Sequence, residues 1–243
     1  MSSIMRRIRE RADTETPVDE LIAQIRARRE QDEKNQASIF EKQFKDAEIN
    51  RTVGRSGILP LHMNCTVRNF EADTPGKINA KQFTRDYVIN FESNNGQGFI
   101  FSGNPGTGKN HLAAAMCNEL MSRGKSCLII TVNELMQKLR ACYQQGTETS
   151  EDKFFKTMID FDLLILDEIG LQRNNDNERL ALNQIVDQRV CRMKPTGMLT
   201  NLPAGSDDDS EMTMNSLLGV RIMDRMRMNG GKWISFDWES FRK

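Results

Sequence analysis

The stretch GNPGTGKN at positions 103–110 follows an apolar run, GFIFSG at 98–103, and leads into HLAAAMCNEL at 111–120, which reads as a helix. Strand, glycine-rich turn and helix in that order are the setting in which such a turn acquires chemical meaning. Gly103, Gly106 and Gly108 allow the backbone to curl so that successive N–H groups point inward, and the helix beginning near Lys109 adds the positive end of its dipole. A cradle of this kind holds a phosphate chain, and Lys109 supplies a mobile cation for its β and γ phosphates. The segment through Asn104, Pro105 and Thr107 to Asn110 and His111 is therefore the candidate ATP-binding loop. Position 110 departs from the usual pattern, because Asn110 stands where a Ser or Thr hydroxyl normally meets Mg²⁺. An amide oxygen reaches such an ion with a longer arm, so a weaker or rearranged metal site is expected.

Beyond the loop, short apolar runs alternate with helical patterns: SCLIITV (126–132), FDLLILDE (161–168), TGMLTN (196–201) and KWISFDW (232–238). Together with GFIFSG they predict a five-stranded parallel sheet flanked by helices, an α/β nucleotide-binding fold. The run FDLLILDE delivers two acids at its carboxyl end, where ligands gather in open sheets. Asp167 is the candidate Mg²⁺ holder and Glu168 the base that orients and deprotonates an attacking water. A glutamate so placed favours ATP hydrolysis over small-molecule phosphorylation, since a kinase must keep water from the γ-phosphate. Asn201, ending another apolar run, either hydrogen-bonds γ-phosphate and water or opens a turn before Pro203. Phe70 either lines an adenine pocket or fills the core.

The 243 residues suffice for one α/β domain and a smaller accessory region. Lys plus Arg and Asp plus Glu each number 34, so no global field draws the chain to nucleic acid or to a membrane surface. Five scattered cysteines without a CxxC pair suit thiols in a reducing compartment, and no apolar run is long enough to span a bilayer; a cytoplasmic location is expected. Residues 1–50 are dense in charge, with narrow apolar stripes at Val18, Leu21, Ile22 and Ile25 and at Ile39, Phe40 and Phe44. Two such stripes enclose little surface by themselves, so they pack on each other, on the main domain or on a partner; a helical partner-binding region is the preferred reading over a solvated hairpin. Residues 51–76, with GRSGILP at their start, read as a linker, and 77–243 as the ATPase domain.

GNPGTGKNHLAAAMCNEL (103–120), ILDEIG (165–170), LTN (199–201) and LLGVRIMDRMR (217–227) together resemble the DnaC-type bacterial helicase loaders, which are AAA+ ATPases, down to the asparagine at position 110. The resemblance spans roughly residues 51–241. It implies a protein that binds the hexameric replicative DNA helicase through its N-terminal region, self-associates in a ring or spiral on it, and helps place it on single-stranded DNA. It also implies that Arg221 is the arginine finger reaching a neighbouring subunit's γ-phosphate, with Arg225 one turn on assisting, and that the helical lid after the last strand is missing. Without the resemblance, both arginines read as a helix surface paired with Asp224. Lys138, Arg140 and Tyr143, at the end of a predicted helix, are candidate DNA contacts. Two alternatives remain, an IstB-type transposition helper and an adaptor that binds ATP without turning it over.

Overall fold

The computed structural model describes residues 26–32, 34–36, 57–143, 150–170, 176–203 and 213–242. The chain divides into two compact units, Met1–Glu48 and Ile49–Lys243. In the first, residues 26–32 and 34–36 are helical and exposed, and the Gln31 Nε2 donates to Asn35 Oδ1 one turn on. The apolar stripes expected at 18–25 and 39–44 lie outside the described residues.

The second unit is a five-stranded sheet, β1 (Phe99–Gly103), β2 (Cys127–Thr131), β3 (Leu163–Ile169), β4 (Thr196–Thr200) and β5 (Lys232–Phe236). These are the five runs read from the sequence. The strand order is β2-β3-β4-β1-β5, and the paired strands are parallel. Helix α1 (Pro75–Ile89) precedes β1, and the crossovers that parallel strands need are helices α2 (Lys109–Ser122), α3 (Val132–Ala141), α4 (Glu151–Asp160), α5 (Asp176–Cys191), α6 (Met214–Leu218) and α7 (Val220–Arg227). Their starts follow local chemistry. Thr74 caps α1 by accepting from Lys77 N, with Pro75 in the first turn; Thr131 and Ser150 cap α3 and α4 in the same way.

Side chains alternate between the two faces of the sheet. Phe99, Phe101, Ile165, Leu199 and Phe236 pack with residues of α1 and α2, including Tyr87, Leu112 and Met116. Ile100, Ile130, Leu164, Leu166 and Met198 pack with residues of α3 to α7. Burial on both faces is why the strands read as continuous apolar runs. Phe99 lies so close to β4 that a Cβ on Gly197 would come within 2.4 Å of its ring.

The stretch read as a linker is, from Gly57 onward, a strap on the domain. Asn118 Nδ2 on α2 donates to His62 O, Met63 O and Cys65 O, and Phe70 is 3% exposed. The helix that follows begins at Pro75.

Arg189 on α5 is fully buried, yet its hydrogen-bond partners are neutral. It donates to Met158 O, Ile159 O and Phe161 O at the end of α4, to Pro195 O and to Thr196 Oγ1. Burial lowers its pKa to about 9, so it stays protonated at neutral pH. The guanidinium satisfies carbonyls that a helix end leaves orphaned, and it ties α4, α5 and β4 together. Arg189→Met should strand these buried acceptors and lower stability by about 3 kcal/mol or more. In thermal melting of the full chain the midpoint should fall by roughly 6–12 °C.

Candidate nucleotide site

Because the strands run in parallel, the carboxyl ends of β1, β3 and β4 share one rim, and a cavity of about 620 Å³ opens there. That size suits a cofactor. Its walls include Phe70, Pro105, Gly106, Gly108, Lys109, Asn110, His111, Asp167, Glu168 and Asn201, which the sequence pointed to. They also include Leu61, His62, Asn69, Phe241 and Arg242, which it did not.

The loop after β1 turns into α2 at Gly108, whose φ of 92° is left-handed and whose absent Cβ would come within 2.6 Å of Phe70. Thr107 is buried, and its Oγ1 donates to Asn104 O. Two donors from the segment after β5 hold the loop's outer carbonyls: Trp238 Nε1 bonds Thr107 O at 3.0 Å and Phe241 N bonds Gly106 O at 2.9 Å. Lys109 Nζ donates to Gly103 O (2.6 Å), Asn104 O (2.8 Å) and Asn201 Oδ1 (2.9 Å), joining the loop to the end of β4. Burial lowers its pKa to about 8, with Arg242 pushing the same way and Asp167 opposing.

Asn110 Nδ2 donates to Asp167 Oδ2 at 2.7 Å. The unusual amide thus takes the carboxylate as a hydrogen-bond partner, something a hydroxyl at that position reaches less far to do. Burial raises the pKa of Asp167, against hydrogen bonds from Glu168 N and Asn110 that favour its charged form. Glu168 is exposed and sits at φ 57°, a region non-glycine residues rarely occupy. The cause is a bulge: between the pairs Leu166↔Met198 and Ile169↔Thr200, β3 has one residue more than β4. The extra residue aims the glutamate's side chain out of the sheet at the cavity wall.

His111 turns toward the strap, its Nε2 2.9 Å from Asn69 Oδ1 and its Nδ1 3.5 Å from Cys65 Sγ. Phe70 packs against Phe241 edge to face, with ring centroids 5.7 Å apart. Arg221 and Arg225 lie on α7 and are not part of this cavity's wall. Both bond Asp187 on α5, where the sequence had offered Asp224. Lys138, Arg140 and Tyr143 are likewise away from the cavity wall, at the end of α3. There Lys138 pairs with Glu134, and Tyr143 Oη donates to Glu151. The residues missed by sequence reasoning came from the strap and from the tail WESFRK, whose aromatic and basic side chains were the available signal.

The family model described as IstB-like ATP binding protein matches residues 23–243. The replicative helicase loader DnaC of Escherichia coli (strain K12) is 45% identical over 206 residues, 85% of this chain and 80% of that protein. The chain belongs to the DnaC family of IstB-like ATP-binding proteins. The uncharacterized protein YdaV of Escherichia coli (strain K12) is 42% identical over 204 residues, covering 83% of this chain and 77% of that one. The crystal structure of the DnaC helicase loader superposes with a TM-score of 0.62 at 24% identity, covering 73% of this chain and 99% of that one, which supports the fold. Among the described residues no helix is long and apolar enough to cross a membrane.

The backbone strain at position 168 yields a test. Glu168→Gly should raise stability by about 0.5–1 kcal/mol by removing the left-handed side chain. On the reading of Glu168 as the base, ATP turnover should fall about 100-fold or more. Chemical denaturation and a phosphate-release assay on one preparation measure both.

Proposed function

We propose that this chain is an ATP-regulated loader of a hexameric replicative helicase onto single-stranded DNA. The observation that carries the proposal is the meeting of Lys109, Asn110, Asp167, Glu168 and Asn201 around one cavity, in a chain 45% identical to a replicative helicase loader. Residues 1–50 serve as the helicase-binding region, and the ATPase domain self-associates in a ring or spiral on the helicase.

The reaction is ATP hydrolysis, slow and regulated by assembly. Loop amides and Lys109 hold the triphosphate. Glu168 takes a proton from water as the water oxygen bonds the γ-phosphorus, and the bond to the bridging oxygen of ADP breaks, leaving ADP and phosphate. Asn201, held by Lys109, orients γ-phosphate and water. Asp167 offers carboxylate oxygens and Asn110, beyond the N–H it gives to Asp167, an amide oxygen; such a set fits a hard cation, so these residues would hold Mg²⁺, which would neutralise charge on the phosphates. Arg221 acts in trans on a neighbour's γ-phosphate, so turnover reports assembly; its absence from its own chain's cavity wall supports that role.

Lys109→Ala should weaken ATP binding by about 30- to 150-fold in calorimetry, the loss of about 2–3 kcal/mol of charge-assisted hydrogen bonding. The same variant should still be captured by the host replicative helicase, whereas removal of residues 1–56 should abolish capture. Capture by a transposase in place of the helicase would favour the IstB-type helper instead. Asn110→Thr should shift the Mg²⁺ concentration that half-saturates turnover, and an unchanged titration would remove the asparagine from the metal site.

A further inference from the structure

Arg221 and Arg225 are four residues apart on α7, so their heads fall on one face of the helix. Ile222, Met223 and Met226 bury the opposite face and fix the helix against its neighbours. On α5, Ile185 and Val186 are fully buried, and the next residue, Asp187, emerges beneath the two arginines with its side chain 19% exposed. Its two oxygens are divided between them: Oδ2 accepts from Arg221 Nη2, and Oδ1 accepts from Arg225 Nε at 2.7 Å.

The division matters for what the arginines can still do. One carboxylate shared by two guanidiniums leaves the cluster with a net positive charge. Arg225 is the inner member, its side chain 32% exposed and its Nη1 also reaching Met228 Sδ at 3.2 Å. Arg221 is the outer member, 69% exposed, and the bond to Asp187 engages one of its five N–H groups. Its planar fork is therefore oriented from one side, with donors left for an oxyanion on the other. Next to it, Val220 is 75% exposed on the same helix, an apolar side chain beside a charge, as at the centre of a protein–protein contact. Without the carboxylate the two like charges would repel and the long side chains would disperse over their rotamers.

We infer that Asp187 is a positioning residue for hydrolysis in the adjoining subunit, holding Arg221 and Arg225 as one pre-aimed cationic pair for that subunit's triphosphate. The inference rests on the reading of Arg221 as a group supplied in trans. Aim is worth a great deal here, since an error near 1 Å in placing a charged group costs on the order of 100-fold in rate. Asp187 touches neither substrate nor reacting atoms, so its effect must pass through the arginines.

The test uses the full chain, with turnover per subunit followed over rising protein concentration for the parent, Arg221→Ala, Asp187→Asn, Asp187→Glu and the Asp187→Asn, Arg221→Ala double variant. Asp187→Asn should lower the high-concentration turnover by about tenfold or more while leaving the KM for ATP and the affinity for a non-hydrolysable analogue unchanged. Asp187→Glu should recover part of the loss, and in the Arg221→Ala background Asp187→Asn should cost several-fold less than in the parent, because only Arg225 is then released. Full turnover in Asp187→Asn beside an inactive Arg221→Ala would overturn the positioning role while sparing the trans reading. Equal loss in both backgrounds, or a parallel fall in analogue affinity, would reduce Asp187 to a structural residue. Faster turnover in Asp187→Asn would make it a restraint, and full turnover in Arg221→Ala would remove the trans reading and this inference with it.

Discussion

The parallel pairing of β4 with β1 on one side and β3 on the other is the constraint from which the rest of the structure follows. It places the carboxyl ends of the strands on one rim, so the phosphate loop after β1, the acids ending β3 and the amide after β4 converge although they are far apart in sequence. The 2.9 Å bond between Lys109 and Asn201 spans 92 residues, and the 2.7 Å bond between Asn110 and Asp167 spans 57. Neither is possible without the sheet, and each in turn holds the loop against it.

Legibility in the sequence followed this division between local and distant causes. The strands could be read because burial on both faces leaves unbroken apolar runs, and the loop could be read because glycines at 103, 106 and 108 answer a local backbone requirement. The carboxylates at 167 and 168 were visible, but the bulge that gives them different exposure was not, because it is a mismatch between β3 and β4. Asp187 was hidden for the same reason: it lies 34 residues before Arg221, whereas the nearer acid, Asp224, offers itself in the local pattern. Lack of periodicity in residues 57–74 suggested a connection. Their packing depends on single anchors such as Phe70 and on the amide of Asn118, which leave no periodic trace.

Two buried cations among the described residues, Arg189 and Lys109, illustrate opposite uses of desolvation. Arg189 is enclosed by neutral acceptors that match the guanidinium fork, and it acts as a fixed rivet between α4, α5 and β4. Lys109 is less enclosed, with three oxygen partners at the cavity wall and a lowered pKa, so its charge is held ready where phosphate would meet it. A carboxylate partner would have spent the charge in either place. In both, carbonyl and amide oxygens orient the cation without neutralising it.

The indole of Trp238 provides an optical consequence. It is nearly buried, stacks near Phe236 with centroids 4.8 Å apart, and donates its N–H to the carbonyl of Thr107 inside the phosphate loop. The chain has two tryptophans, and the other, Trp233, lies at the opposite end of β5. The emission of one native fluorophore is thus wired to the geometry of the loop, giving an intrinsic, label-free signal of its rearrangement.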